Sequence, residues 1–272
     1  MEKIDSIDGL EDKAKQIRRD IIRMLAKAGS GHPGGSLSAA DIVTALYFNV
    51  MNYRADNPKW DDRDRFVLSK GHACPVQYAA MARAGFFPVD ELMTLRQIHS
   101  RLQGHVSKKD LPGVEASTGS LGQGLSIAVG IALAGKLDMK DYKVYCMLGD
   151  GELQEGQIWE AVMTAAQFKL SNLVAIVDYN KVQLSGFLDD IKCVECMSAR
   201  WKAFGWNAIE INGHNMKQIL GAFEKDFGNQ KPTVIIADTI KGKGVSFMEN
   251  KAEWHGMAPN AEEAEKALKE LA

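Results

Sequence analysis

The sequence predicts an α/β protein, a parallel sheet flanked by helices, and three observations carry that prediction. Four short runs rich in Val and Ile recur in the second half: "KVYCMLGD", "NLVAIVDYN", "NAIEIN" and "PTVIIADTI". They are separated by stretches of helical length, and apolar strands alternating with helices are the pattern of a sheet covered on both faces. Two of the runs stop on polar turns, Gly149-Asp150-Gly151 and Asp178-Tyr179-Asn180-Lys181. In parallel sheets the ligand crevice lies past the carboxyl ends of the strands, which is where these turns fall.

Taken in order, helical periodicity covers Asp8 to Ala28 through Ile17, Ile21 and Leu25, and again Ala39 to Phe48, with Ser38 as its N-cap. "RFVLSKGHA" reads as a strand from Phe66 to Leu68 feeding a glycine turn, followed by a helix from Val76 to Ala84. The small-residue stretch Leu121 to Leu133 reads as a helix packed closely against a glycine loop. Asn260 to Leu271 is an exposed helix. With 272 residues and 46% hydrophobic content the chain can bury a large core. No internal repeat or low-complexity linker divides it, so residues 1–256 are expected as one domain and 257–272 as a helical tail.

Composition narrows the function. The net charge of -2 and the scatter of 33 basic residues give no electrostatic support to nucleic-acid or membrane binding. The charged N-terminus lacks an apolar signal region, and no run reaches the ~18 apolar residues of a spanning helix, so a cytoplasmic protein is expected. Four cysteines suggest no disulfide framework. Cys193 and Cys196 form a lone CxxC, read as ordinary packing rather than a metal site.

The two strand-end turns admit a chemical reading. Glycines let the backbone approach a pyrophosphate, a following helix N-terminus favours anions, and Asp and Asn oxygens suit a hard cation such as Mg2+. Turn formation alone also accounts for both.

The wider sequence resolves that choice by resemblance. "GDGELQEGQIWEAVMTAAQFKLSNLVAIVDYNK" resembles the thiamine diphosphate motif, which opens with GDG and closes about thirty residues later with Asn. "SGHPGGSLS", "LSKGHA", "QGH", "STGSLGQGLSIAVG" and "IKGKGVSFMENKAEWHG" follow in the order seen in transketolases, so most of the chain is similar to that family and to its thiamine diphosphate-binding fold. Ser120 replaces a proline common in the family, as it does in transketolases of animal type.

The resemblance implies roles. Asp150, Asn180 and the backbone carbonyl of Val182 would hold Mg2+ (or Ca2+ or Mn2+), and Gly151 would admit the diphosphate. His72 and His255 would contact the cofactor, as would Gly119 and Asn180. Glu155 is grouped with these cofactor-binding residues and matches the family glutamate between active sites. His32, His105 and His255 would meet sugar hydroxyls and share the proton transfers. Glu152 matches no family role and is read as a surface or first-turn helix residue. His99 is read as helical surface, His214 as part of a helix-start turn, and Trp254 as packing.

Half of a transketolase is absent from the chain. The pyrimidine-side glutamate, the aromatic stacking partner and the arginine clamp on substrate phosphate belong to the family's second domain. The resemblance therefore implies the N-terminal subunit of a split transketolase. A separate pyrimidine-domain subunit would be its partner in an α2β2 heterotetramer, moving a two-carbon ketol unit from a ketose phosphate to an aldose phosphate, by default in the pentose phosphate pathway. The helix from Leu121 to Leu133 is expected to form part of the assembly surface. Two other readings compete: a split thiamine-dependent synthase or decarboxylase using a 2-keto acid, and a non-catalytic cofactor-binding module. Four histidines spaced for sugar hydroxyls weigh against the former, and an intact set of ligands against the latter.

Overall fold

The computed structural model describes residues 3–192 and 196–272. Helix α1, Ile7–Ala28, starts where the Ser6 side chain accepts from Gly9 N and ends where Gly29 turns left-handed at φ 65°. Its stripe of Leu10, Ala14, Ile17, Ile21 and Leu25 is fully buried. Short helices α2, Pro33–Ser38, and α3, Ala40–Ala45, follow, and a π-helical turn, Leu46–Val50, closes the segment. Ser38 is therefore the last residue of α2 rather than the N-cap of one longer helix. Its hydroxyl instead donates to Asp178 in the third strand.

The remaining helices are α4, Cys74–Arg83; α5, Gln123–Leu137; α6, Gly156–Gln167; α7, Leu188–Ile191; α8, Met197–Ala203; α9, Met216–Glu224; and α10, Ala261–Glu270. The strands are β1, Arg65–Leu68; β2, Val144–Gly149; β3, Leu173–Tyr179; β6, Asn207–Asn212; and β7, Thr233–Asp238, with a small antiparallel pair β4, Val182–Gln183, and β5, Gly186–Phe187. The five-stranded sheet has the order β1-β2-β3-β7-β6 and every pairing is parallel.

Both faces of this sheet are covered, which is why its strands read as unbroken apolar runs. Along β2, Tyr145 and Met147 enter the core built with α1, α3 and α4, while Val144, Cys146 and Leu148 enter the one built with α5 and α6. In β7, Ile235 and Ala237 face the first core, and Val234 and Ile236 the second. The period-2 alternation of a strand thus serves two cores at once.

α5 lies tightly against the sheet because Gly124 has no side chain: a Cβ there would lie 2.4 Å from Ser69 Oγ and 2.6 Å from Ser69 Cα. Other sides of α5 and α6 leave Ile127, Leu137, Met163 and Phe168 exposed. α10 carries a capping box between Asn260 and Glu263. It is not a free-standing exposed tail, since Ala264, Ala267 and Leu271 are buried and Arg19 Nη1 donates to Leu271 O at 2.7 Å across from α1. His99 is exposed as expected but sits in a turn with left-handed backbone, φ 66°, rather than in a helix. Trp254 is buried edge-on to Phe247, as a packing residue should be. Cys74 and Cys146 are buried and Cys196 is exposed, while Cys193 lies outside the described residues. No helix among the described residues is long and apolar enough to cross a membrane.

Candidate active site

Four loops converge past the carboxyl ends of the parallel strands: Ser69–His72 after β1, Asp150–Gly151 after β2, Asn180–Val182 after β3 and Thr239–Lys241 after β7. They surround a cavity of about 350 Å³. Every residue assigned to the site from the sequence lines it: His32, His72, His105, Gly119, Asp150, Gly151, Glu155, Asn180, Val182 and His255.

One wall is made of imidazoles. His32 caps α2, His72 lies in the turn Gly71–Ala73 and His255 in the turn Ala252–His255. His72 stacks on His255 with ring centroids 5.1 Å apart, and His32 lies 5.1 Å from His72, 5.7 Å from His255 and 6.1 Å from His105. The loop carrying His105 is held by Tyr78 Oη, which lies 3.0 Å from Gln103 O and 3.2 Å from His105 O. Across it, a Cβ on Gly119, where φ is 150°, would lie 2.9 Å from the His105 ring.

All four rings are held neutral. Burial, with help from Arg96, His105 and Lys241, lowers His32 to about 4. Burial and then Lys241 lower His255 to about 3. His72 falls well below its ordinary value through burial and Lys70, and His105 is lowered by burial and Arg96. The Lys241 ammonium sits 2.9 Å from His255 Nδ1. That ring nitrogen must therefore be the acceptor, which leaves the proton on Nε2.

The opposite wall is rich in oxygen. Asp150 accepts from Gly151 N at 2.7 Å and from Lys181 N at 2.6 Å, and burial followed by the nearby Asp178 charge pushes it up to about 6. Asn180 donates Nδ2 to Asp178 at 2.9 Å, so its Oδ1 is the end that receives Val182 N at 3.2 Å. The carbonyl of Val182 receives Lys241 Nζ at 2.6 Å. No group of three or more His, Cys, Asp or Glu suited to a metal occurs among the described residues. The oxygen set here combines one carboxylate, one amide and one carbonyl, donors that suit a hard cation.

Several buried groups underneath were not assigned from the sequence. Asp178, fully buried, accepts from Ser38 Oγ at 2.6 Å, Lys70 Nζ at 2.5 Å, Asn180 Nδ2 at 2.9 Å and Thr239 Oγ1 at 2.5 Å. It thereby ties α2 to the ends of β1, β3 and β7. Burial alone would raise its pKa, but Lys70 outweighs that and holds it low. Lys241, 2% exposed, is lowered to about 8, mainly by burial. Lys70 and Lys241 stood inside the quoted "SKGHA" and "IKGKG" blocks. Their position directly after strands was the available signal, but a lysine's default place is the surface.

Glu152 corrects the sequence reading in part. It stands in the first turn of a short 3-10 helix, Gly151–Gln154, as expected, but it is 2% exposed and not a surface residue. Its Oε1 accepts from Ser69 Oγ at 2.5 Å and Gly122 N at 2.9 Å, and its Oε2 from Gly149 N at 3.1 Å. Burial raises its pKa, with the three bonds opposing. One carboxylate in the cavity lining thus joins the ends of β1 and β2 to the start of α5. His214 holds its predicted turn before α9, and its ring also bridges Asp41 Oδ2 at 2.7 Å and Ile240 N at 2.8 Å.

The cavity fits a polar, anionic guest. Two buried polar atoms on its lining residues, His32 Nδ1 and Gln183 Nε2, have no hydrogen-bond partner among the described residues. A Cβ on Gly151 would come within 3.0 Å of Gln183 Oε1, so the bare turn keeps this wall open. Lys241 and Lys70 supply buried positive charge for a diphosphate.

Comparison with known proteins agrees with this geometry. The family model described as "Transketolase, thiamine diphosphate binding domain" matches residues 11–272. The chain is 44% identical over 266 residues to one subunit of the apulose-4-phosphate transketolase of Phocaeicola vulgatus, covering 97% of this chain and 94% of that protein. It is 44% identical over 263 residues to a 6-deoxy-6-sulfo-D-fructose transketolase subunit of a Clostridium species, covering 96% of each. Human transketolase is 43% identical over 266 residues, 97% of this chain and 42% of the human protein. The crystal structure of transketolase from Campylobacter jejuni superposes with a TM-score of 0.91 at 36% identity, covering 98% of this chain and 43% of that one. The chain belongs to the transketolase family and corresponds to its N-terminal, thiamine diphosphate-binding part.

Proposed function

We propose that this chain is the N-terminal subunit of a two-chain transketolase that transfers a two-carbon ketol unit from a ketose phosphate to an aldose phosphate. The observation that carries the reading is the convergence of an oxygen-rich wall and a four-imidazole wall on one cavity at the carboxyl ends of the strands. Bound thiamine diphosphate supplies the electron sink that lets a sugar carbon–carbon bond break and form.

The chain's own residues hold and orient. Asp150, Asn180 and the Val182 carbonyl bind a divalent cation, Mg2+ or else Ca2+ or Mn2+, beside the diphosphate. Lys241, whose Nζ donates to the Val182 carbonyl at 2.6 Å, would supply positive charge for the diphosphate. Gly151 and Gly119 keep backbone close to the cofactor, His72 contacts it, and Glu155 faces the neighbouring active site. His32, His105 and His255 contact the sugar hydroxyls. As neutral imidazoles they can each accept a proton, and His255 can offer the one on Nε2.

The partner is a separate polypeptide carrying the pyrimidine side of the site, in an assembly of two copies of each chain in the cytoplasm. The similarity to relatives named as subunits, over nearly their whole length, supports two chains. Their names, a sugar phosphate and a sulfo-sugar, favour a dedicated sugar route over central pentose metabolism. A 2-keto acid donor is the competing substrate class, and the imidazole wall, suited to a polyol, weighs against it.

The test is affinity purification of the tagged chain with thiamine diphosphate and Mg2+ present, then assay of the complex. Recovery of a pyrimidine-domain chain and ketol transfer between sugar phosphates supports the proposal. Carbon dioxide release from a 2-keto acid without ketol transfer would replace it.

A further inference from the structure

We infer that Tyr78 is the positioning residue for His105, and that α4 is the common mount from which both His72 and His105 reach the cavity. The inference rests on the proposed ketol transfer for what His105 contacts, and on geometry for how its ring is held.

The stretch 95–122 contains no helix or strand, yet it carries His105 and Gly119 to the cavity. Regular structure does not fix where His105 stands. The carbonyls of Gln103, Gly104 and His105 accept from no backbone N–H among the described residues. Side chains take that place. Tyr78 Oη donates to Gln103 O at 3.0 Å and to His105 O at 3.2 Å, and Cys74 Sγ lies 3.3 Å from Gly104 O and 3.6 Å from Gln103 O. Arg96, from the same stretch, adds one bond from Nη2 to Gly104 O at 3.3 Å.

Cys74 and Tyr78 are four residues apart on α4, so their side chains share one face and together meet three consecutive carbonyls. Both are buried, at 1% and 0% exposure, in the core that α4 shares with α1 and α3. Burial pushes the Tyr78 hydroxyl well above its ordinary value and the Cys74 thiol up to about 12, so both keep the proton they donate. α4 also begins directly after the turn Gly71–Ala73, which carries His72. One buried helix therefore places two imidazoles, His72 through the chain and His105 through a hydroxyl. Without that hydroxyl, the loop that presents His105 loses its link to the helix.

Two measurements test it. The first uses the complex with partner and cofactor, and combines Tyr78→Phe with His105→Ala. Tyr78→Phe keeps the buried ring and removes only the hydroxyl. We expect kcat/KM for the ketose phosphate to fall about tenfold through misplacement near the reacting atoms, with thiamine diphosphate affinity as in wild type. In the His105→Ala background the same substitution should cost nothing further, since no ring remains to be positioned. An unchanged kcat/KM, additive losses, or an equal fall in cofactor affinity would overturn the inference. Cys74→Ala, which removes only the thiol, should act in the same direction with the same non-additivity, and it decides the matter if Tyr78→Phe does not fold. The second measurement needs no turnover: the histidine ring cross-peaks of the full chain by carbon-edited NMR. In Tyr78→Phe the His105 peak should shift or broaden while that of His72 stays. An unmoved His105 peak, or equal movement of both, would overturn the inference. If wild type transfers no ketol unit, the proposed function falls, and the NMR result alone decides whether Tyr78 positions His105.

Discussion

Lys70 Nζ lies 2.5 Å from Asp178 Oδ2, with side chains 2% and 0% exposed, and this pair forms the floor beneath the cavity. Asp178 sits in β3 and Lys70 just past β1, two strands separated by β2, so the ion pair spans the sheet at its functional edge. Removing one partner strands a buried charge. We predict that Asp178→Asn or Lys70→Met alone lowers stability by about 3–5 kcal/mol, measured by urea denaturation. The double variant should lose less than the sum, because neither charge is then left unpaired. Strict additivity would contradict the pairing.

Glu152 satisfies the Ser69 hydroxyl after β1, the Gly122 N–H before α5 and the Gly149 N–H at the end of β2. Glu152→Ala leaves these donors buried, each at a cost of ~1–3 kcal/mol, and we expect a clear drop in Tm. Glu152→Gln should be intermediate, since its amide retains one acceptor. A Tm for Glu152→Ala within error of wild type would mean the residue is a bystander.

The imidazole wall sets an acid limit. His32 and His255, with folded values of about 4 and 3, and the lowered His72 and His105 remain neutral in the folded chain at pH values where unfolded histidine is protonated. The stability they contribute is therefore full above about 6.5 and is lost as pH falls from there toward 4. Asp150 works in the opposite sense: its raised value of about 6 favours folding at low pH and loses that effect as pH rises through 6. Glu152, also raised by burial, acts in the same sense as Asp150, and the four lowered histidines outweigh these two carboxyls. The urea midpoint should fall between pH 7 and pH 5, and His32→Gln should flatten that slope.

His214 holds Ile240 N at 2.8 Å and Asp41 at 2.7 Å, and Asp41 is also held by Arg18 at 2.6 Å. The loop it fixes carries Lys241. We predict that His214→Ala weakens thiamine diphosphate binding several-fold by loosening Lys241, although His214 does not line the cavity. Unchanged cofactor affinity, measured by equilibrium dialysis, would confine His214 to packing.

Much of this was legible in the chain itself. Strand runs such as "KVYCMLGD" and "PTVIIADTI" announced a sheet with two covered faces, because period-2 side chains in them are apolar on both sides. The histidines and the GDG…N motif located the cavity lining through resemblance. Glu152 and Lys241 were hidden because burial of a charge depends on partners brought from distant segments: Glu152 from residues 69 and 122, Lys241 from residue 182. Ser38 misled for a related reason, since its hydroxyl fits a helix cap equally well until Asp178 arrives from 140 residues away.

The most direct test of the central claim is equilibrium dialysis of thiamine diphosphate, with and without Mg2+, against the chain assembled with its partner, wild type beside Asp150→Ala. The account predicts Mg2+-dependent binding in wild type and loss of both cofactor and metal in the variant. Equal binding by the two proteins would contradict the assignment of Asp150, and with it the oxygen-rich wall as the seat of metal and diphosphate.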